Sequence, residues 1–353
     1  MKNLAPIEYI SPSSFYYWEK CPLKAVYARN YDGPVLFPIH PDADLGKLIH
    51  SFIENRLNWE INTDEIFEKK WNDEVQKLNN KYRNSLLQKV YFPIEWHSKY
   101  FAVRKRQLQR FIVKDVSETY MNHRNRLTVT KYGLAEKWID DKFDIGGKID
   151  YVRFNDNNEI EDVIDYKTGN IFEIVEKEKI IKPVYYCQLA LYGYLVLQNQ
   201  SLNPNYYLQD SNGEKHKVEI SQIQIEDVHK RAVKLKSKIN EHISRNDINS
   251  LASPMQENCS FCDYRPLCEA YKTTFINDFS MKYLDVHGKV VSITYGSKMT
   301  FKIQINERVI NLRNIVSAEK INEGDEVYVY NLFCPDQEDS TLFATKSTIV
   351  IHE

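Results

Sequence analysis

The chain has 353 residues and nowhere the roughly 18 to 20 consecutive apolar ones that a membrane-spanning helix needs; its opening, MKNLAPIEYI, has no signal-peptide core. A cytoplasmic protein with no membrane partner is the expectation. Net basicity is also missing, since 47 Lys and Arg face 49 Asp and Glu for a formal charge of -2. That balance neither announces nor excludes a nucleic-acid partner, and it confines any such surface to a local basic patch. There is no internal repeat, no low-complexity tract and no G-x-x-x-x-G-K-[ST] loop, so the chain carries no recognisable ATP motor of its own. Cysteine is sparse. Three of the six, Cys259, Cys262 and Cys268, are nonetheless bunched, and in a reducing compartment such a bunch points to metal sooner than to disulfides.

What is present is ordinary globular material: 42% hydrophobic and 27% charged residues can fill a core and exclude a disordered chain. The length suits a main domain with a smaller one attached. Ser11-Pro12-Ser13-Ser14 makes a capped helix start, and the aromatic-rich stretch it opens runs to about residue 30, with Cys21 inside it or at its end. Residues 44–59 read as helix, with Leu45, Leu48, Ile49, Phe52 and Ile53 on one face and His50 beside it. Residues 65–125 keep helical spacing, with Phe101, Leu108, Phe111, Ile112 and Val116 as a buried stripe. The period then changes to two, which predicts strands over 127–140, 143–154 and 161–166.

A helix over 184–198, short strands over 206–209 and 215–220, and an amphipathic helix over 226–245 complete an α/β order. The last helix turns Val228, Ala232, Leu235, Ile239 and Ile243 inward and leaves Lys230, Arg231, Lys234, Lys236 and Lys238 outside. Such a run is first a solvated face and only second a DNA contact. Beyond residue 278 the character becomes β, with segments over 287–294, 299–305, 308–315, 326–333 and 342–351; five strands in so short a length fit a small OB-like barrel. Its role is either to bind an unpaired strand or to dock and stabilise.

The strongest chemical signal is a pair of segments, Gly146-Gly147-Lys148-Ile149-Asp150-Tyr151 and Ile164-Asp165-Tyr166-Lys167-Thr168. On a strand, Asp165 and Lys167 emerge on one face while Tyr166 points the other way. Water attacking a phosphodiester needs an oxygen-bound hard cation, which Asp150 and Asp165 can hold, and an ammonium such as Lys167 to orient it and steady the developing charge. Alone, D-x-K is a common accident. Its surroundings add His50 on a helix in Leu45-Gly46-Lys47-Leu48-Ile49-His50, and Gln188 and Tyr192 four apart on one helix face.

In this order, the L-G-x-x-x-H helix, G-x-x-D strand, D-x-K strand and Q-x-x-x-Y helix resemble the RecB-like branch of the PD-(D/E)XK nuclease superfamily over about residues 10 to 275. The resemblance implies a restriction-endonuclease-like mixed sheet flanked by helices. It implies His50, Asp150 and Asp165 as ligands of Mg2+ or Mn2+, Lys167 as catalytic base or stabiliser, and Gln188 and Tyr192 as DNA-site residues. Lys148 stands where the family often has a basic residue, and Tyr151 follows the acid; both bear on DNA contacts more than on chemistry. Glu136 is a candidate further acid.

Cys259, Cys262 and Cys268 have C-x2-C-x5-C spacing and want a fourth ligand, for which Cys21 in Lys20-Cys21-Pro22 is the candidate. Spacing alone leaves zinc and a 4Fe-4S cluster open. Similarity to the iron-sulfur RecB-like nucleases, including the AddB type and CRISPR-associated relatives, implies 4Fe-4S with zinc as the alternative, in a structural role. Cys187 and Cys334 read as buried thiols. The organisation expected is an iron-sulfur nuclease domain over 1–275 and an OB-like β-barrel over 280–353. The function implied is metal-dependent hydrolysis of DNA, single-stranded or at free ends, in repair, recombination or antiviral defence, with a helicase or other protein as a partner. A catalytically silent DNA clamp in a helicase-nuclease assembly is the second reading, against which the intact His50, Asp150, Asp165 and Lys167 set argues.

Overall fold

The computed structural model describes residues 4–56, 58–123, 137–139, 142, 144–155, 157, 159–198, 200, 202–210, 213–296, 298–316, 320–335 and 341–353; over 114–123 and 137–139 only the backbone is described. Glu136 and most of the strand expected over 127–140 lie outside these residues, as does the side chain of Val116. The elements run α1 (Pro12–Lys20), α2 (Pro22–Asn30), α3 (Pro41–Asn55), α4 (Asp64–Asn84), α5 (Ile94–His97) and α6 (Phe101–His123), then β1 (Lys137–Ile139), β2 (Gly146–Lys148), β3 (Tyr151–Phe154) and β4 (Ile160–Tyr166). After them come β5 (Phe172–Val175), β6 (Glu178–Ile181), α7 (Pro183–Leu197), β7 (Asn205–Gln209), β8 (Lys215–Val218), α8 (Gln222–Ser244), α9 (Gln256–Cys259), α10 (Glu269–Phe275) and β9 (Tyr283–Thr294). Four strands close the chain: β10 (Met299–Ile305), β11 (Arg308–Ile315), β12 (Glu326–Phe333) and β13 (Thr341–His352).

The chain divides into two compact units: Met1–Tyr31, His40–Leu78 and Glu95–Ser253 form the first, and Asp32–Ile39, Asn79–Ile94 and Pro254–Glu353 the second. At the centre of the first is a four-stranded sheet in the order β3-β4-β7-β8. The β4–β7 pair is parallel and the two outer pairs antiparallel, so the sheet is mixed. β4 is its most buried strand, with Val163, Ile164 and Asp165 all at 1% exposure or less, because it has neighbours on both edges and helices over it. Each such Val or Ile contributes about 1.5–3 kcal/mol of burial.

Helix α7, which returns the chain from the β4 side to β7, is apolar nearly all round and lies buried from Cys187 to Val196, packed on α1, α8 and β4. Gly193 makes room: a Cβ there would come 2.3 Å from Tyr206 Oη of β7. α8 starts with a full capping box, the Ser221 side chain taking Gln224 N while Gln224 returns to Ser221 N. It buries Ile225, Val228, Ala232, Leu235 and Ile239. Its basic side is only partly a solvated face. Arg231 forks onto both oxygens of Glu19, at 2.9 and 3.0 Å, and Lys236 pairs with Asp144 at 3.1 Å.

The expected N-terminal helix is two helices, because Pro22 lacks the N–H needed to continue α1 and instead starts α2 at its first turn. Cys21 is the extended residue between them. The long helical stretch over 65–125 is likewise broken, into α4, a 3-10 turn at Gln88–Tyr91, α5 and α6. The strand expected over 143–154 is interrupted, so that Ile149 and Asp150 separate β2 from β3.

In the second unit the five last strands form a closed barrel in the order β10-β11-β13-β12-β9, with β11–β13 parallel and the other pairings antiparallel. This is the OB-like barrel read from the alternation, and closure removes sheet edges. Its core holds Val286, Phe301, Ile303, Leu312, Val327, Val329 and Leu342 at 0% exposure. A second cluster joins Phe37, Cys259, Tyr271, Tyr330 and Ile349, which seats the cysteine-bearing segment and the strip 32–39 on the barrel.

Candidate active site

Four elements of the first unit bring its acids and lysine together. Asp150 sits in the bend before β3, and its Oδ2 accepts from Tyr166 N at 2.9 Å and lies 3.5 Å from His50 Nδ1 on α3. Asp165, the penultimate residue of β4, is 1% exposed. Its Oδ1 accepts from Gln188 Nε2 at 2.9 Å, and its Oδ2 lies 2.5 Å from Lys167 Nζ. That oxygen is buried and is held by the Lys167 ammonium in a close ion pair. Lys167 stands one residue past β4 but keeps the parallel register, its N–H donating to Gln209 O at 2.8 Å. Alternation therefore delivers its side chain to the face of Asp165, while Tyr166 turns away against Phe111, with ring centroids 5.8 Å apart.

Helix α7 supplies the other half. Gln188 accepts from Lys167 Nζ at 2.9 Å and donates from Nε2 both to Asp165 and to Tyr192 Oη, the latter at 3.1 Å; Tyr192 in turn donates to Lys148 O at 2.8 Å. The Tyr185 ring lies 4.6 Å from Lys167 Nζ. Close approach depends on glycine at two points. A Cβ at Gly46 would stand 3.2 Å from Thr168 Oγ1, and one at Gly147 would stand 2.7 Å from Pro12 Cδ. These lean α3 onto the loop after Lys167 and β2 onto α1.

Burial, with the charge of Asp165 second, pushes the Asp150 carboxyl well above the usual carboxylate range. Burial also pushes His50 down, against the opposing pull of Asp165, so its imidazole is held neutral. Burial raises Tyr192, which keeps it a donor. A cavity of about 500 Å³ opens beside these groups, walled by Asp42, Lys47, His50, Glu54 and Thr168.

All six residues singled out from the sequence thus fall in one unit and are linked by contacts. His50, Asp150 and Asp165 are nonetheless spread wider than a closed ligand set. Among the described residues, the trios whose ligand atoms come within 4.8 Å of one another are Asp210, Glu214 and His216, and His287, Glu326 and Glu353; neither includes a cysteine. Lys148 pairs with Glu54 at 2.6 Å. Glu54 and Tyr185 went unread, although each had a signal: Glu54 is one turn after His50 on α3, and Tyr185 one turn before Gln188 on α7.

The cysteines are placed as follows. Cys21 separates α1 from α2, Cys259 ends α9, Cys262 N donates to Cys259 O at 3.0 Å, and Cys268 caps α10, its Sγ accepting from Tyr271 N at 3.4 Å. Cys187 and Cys334 are buried.

A sequence model of the PD-(D/E)XK nuclease superfamily matches residues 9–269, a span that contains every one of these site residues. The chain belongs to the PD-(D/E)XK nuclease superfamily. One of the solved structures similar to this superfamily member is a provisionally assigned exonuclease from Eubacterium rectale, at 13% identity and a TM-score of 0.36, covering 68% of this chain and 82% of that one. No curated protein matches. No described helix is long and apolar enough to cross a membrane.

Proposed function

We propose that this PD-(D/E)XK chain is a divalent-metal-dependent DNA nuclease of RecB-like type, hydrolysing phosphodiester bonds in single strands or at free ends. The observation that carries this reading is the buried Asp165 carboxylate, ion-paired with Lys167 and braced by Gln188, in the same cluster as Asp150 and His50. Two carboxylates and a neutral imidazole are donor types that Mg2+ or Mn2+ accepts, and the cost of holding Asp150 ionised beside Asp165 is what a cation would relieve. His50, Asp150 and Asp165 would hold it. When bound, such an ion lowers the pKa of water and stabilises charge on phosphorus.

The chain's own residues do the rest. Lys167 presents an ammonium fixed by Asp165, Gln188 and the Tyr185 ring, which orients the attacking water and steadies the phosphoryl oxygens as negative charge develops. Gln188 is the brace that sets Asp165 and Lys167 relative to each other, and Tyr192 ties that brace to the Lys148 carbonyl.

A structural 4Fe-4S or zinc centre on Cys21, Cys259, Cys262 and Cys268 is the companion proposal. It rests on cysteine spacing and family resemblance. The three late thiols are not gathered within 4.8 Å of one another. Iron, sulfide and zinc analysis of anaerobically purified protein tests it.

The nuclease is tested by cleavage of end-labelled single- and double-stranded DNA with Mg2+ or Mn2+, against Asp165→Ala and Lys167→Ala. Loss of about a hundredfold or more in both variants, with unchanged folding, is the expected result. A wild type that binds DNA and never cuts it would leave the clamp reading in its place.

A further inference from the structure

The second unit contains a cavity of about 510 Å³ that the proposed hydrolysis does not use. Its walls are the segment from Gln256 to Phe275, the start of β9, and Asn331, Thr345 and Ser347 of β12 and β13; β10 and β11 contribute none of them. Barrels of this shape usually bind strands across the face of their second and third strands, here β10 and β11, so this is a different surface.

Two large rings at the cavity stand in solvent, Phe261 at 87% and Tyr283 at 62% exposure. Tyr283 is propped by Phe333, with centroids 5.5 Å apart, and the Lys282 ammonium lies 5.6 Å from that second ring. The exposed Tyr283 ring, tilted 45° to Phe333, therefore has a cation close by. In the floor, Arg265 has a side chain only 8% exposed. Its Nη1 donates to Ser260 O at 3.0 Å and its Nη2 to Asn331 Oδ1 at 2.6 Å, and its enclosed Nε is ion-paired with Asp285 at 3.6 Å. That carboxylate also accepts from Tyr271 Oη at 2.5 Å and Asn331 N at 2.7 Å.

We infer that this cavity binds unpaired DNA: a base stacks on Phe261 or Tyr283, and the backbone charge lies near Lys282. The inference rests on the nuclease reading only for its choice of DNA. A nucleotide supplies, in one unit, what the cavity asks for, namely a π-face and negative charge; a base within a duplex has both faces occupied and cannot stack there.

The test uses the full chain without divalent metal, so that nothing is cut, and reads anisotropy of a labelled oligo-dT of about 15 nucleotides and of a blunt duplex. Phe261→Ala and Tyr283→Ala are expected to weaken oligo-dT binding by about fivefold to a hundredfold each, the range for loss of one base stack. Blunt-duplex binding stays unchanged, and Phe261→Trp retains oligo-dT affinity. Both side chains are exposed, so thermal unfolding should match the wild type. The inference is overturned if the wild type does not bind oligo-dT. It is also overturned if the double alanine variant binds within about twofold of wild type, or if both DNAs are lost equally. Cleavage is scored separately: a wild type that never cuts, with variants that lose oligo-dT, sinks the nuclease reading and leaves this one standing.

Discussion

Gln188 concentrates the chemistry of the site in one side chain, since its carbonyl oxygen and its amide nitrogen address Lys167 and Asp165 respectively. Truncation by Gln188→Ala should lower the single-turnover cleavage rate by about 10- to 100-fold, with folding unaffected, the scale expected when a supporting hydrogen bond is lost. A second residue-scale outcome concerns Asp150. Burial raises its pKa above the unfolded value, so between those two values the folded chain holds a proton that the unfolded chain has released. Stability from this group therefore falls as pH rises through that window, and a cation that binds the ionised form restores it. The gain in melting temperature on adding Mn2+ should be larger at about pH 8 than at about pH 5, and Asp150→Asn should erase the difference. His50, Asp150, Asp165, Lys167, Gln188 and Tyr192 were singled out by motif order and resemblance to a nuclease family; periodicity added only that Asp165 and Lys167, and Gln188 and Tyr192, share a face. Glu54 and Tyr185 were not selected, because many charged and aromatic residues have equal periodic claims and only packing chooses among them.

At the scale of elements, the helices and strands follow from local rules, but their interruptions follow from the site. β2 and β3 would read as one strand; the break at Asp150 frees its carboxylate from the pleat and lets it cap Tyr166 N. The hairpin β5–β6 went unread, since its turn is built by Glu176 and Lys177 at positive φ, where Asn or Gly would have announced it. Glycine positions report the closest contacts. At Gly288 a Cβ would lie 2.4 Å from the backbone oxygen of Gln304, so Gly288→Ala must push β9 from β10 and should destabilise the chain by about 1–3 kcal/mol. Gly193→Ala meets Tyr206 Oη at 2.3 Å and should also be destabilising, and, because α7 carries Gln188, it should lower cleavage as well. Denaturation midpoints and rates measured on both variants separate the two cases: Gly288→Ala is expected to move only the midpoint.

For the whole molecule, the second unit is assembled from three separate stretches, Asp32–Ile39, Asn79–Ile94 and Pro254–Glu353. Phe37 packs edge-on against Tyr330 at 5.7 Å, and its ring also takes the Arg265 guanidinium at 4.8 Å. A chain ending at Ser253 should therefore expose Phe37 and Tyr91, which are buried in the intact protein, and bind a hydrophobic dye or aggregate on size exclusion. A monodisperse truncated protein with no dye binding would contradict this account of the second unit.

Order and alternation in the sequence by themselves determined the α/β sequence of elements, the five barrel strands and the acid-lysine motif, because periodicities of 3.6 and 2 are local properties of the backbone. Tertiary structure alone decided that Arg231 and Lys236 answer Glu19 and Asp144 and are not a free basic face, that Gln188 bridges Asp165 and Lys167, and that strips at 32–39 and 79–94 join the barrel. The physical reason is that pairing, burial and unsatisfied valence depend on which distant segments pack together, and no local period encodes that choice.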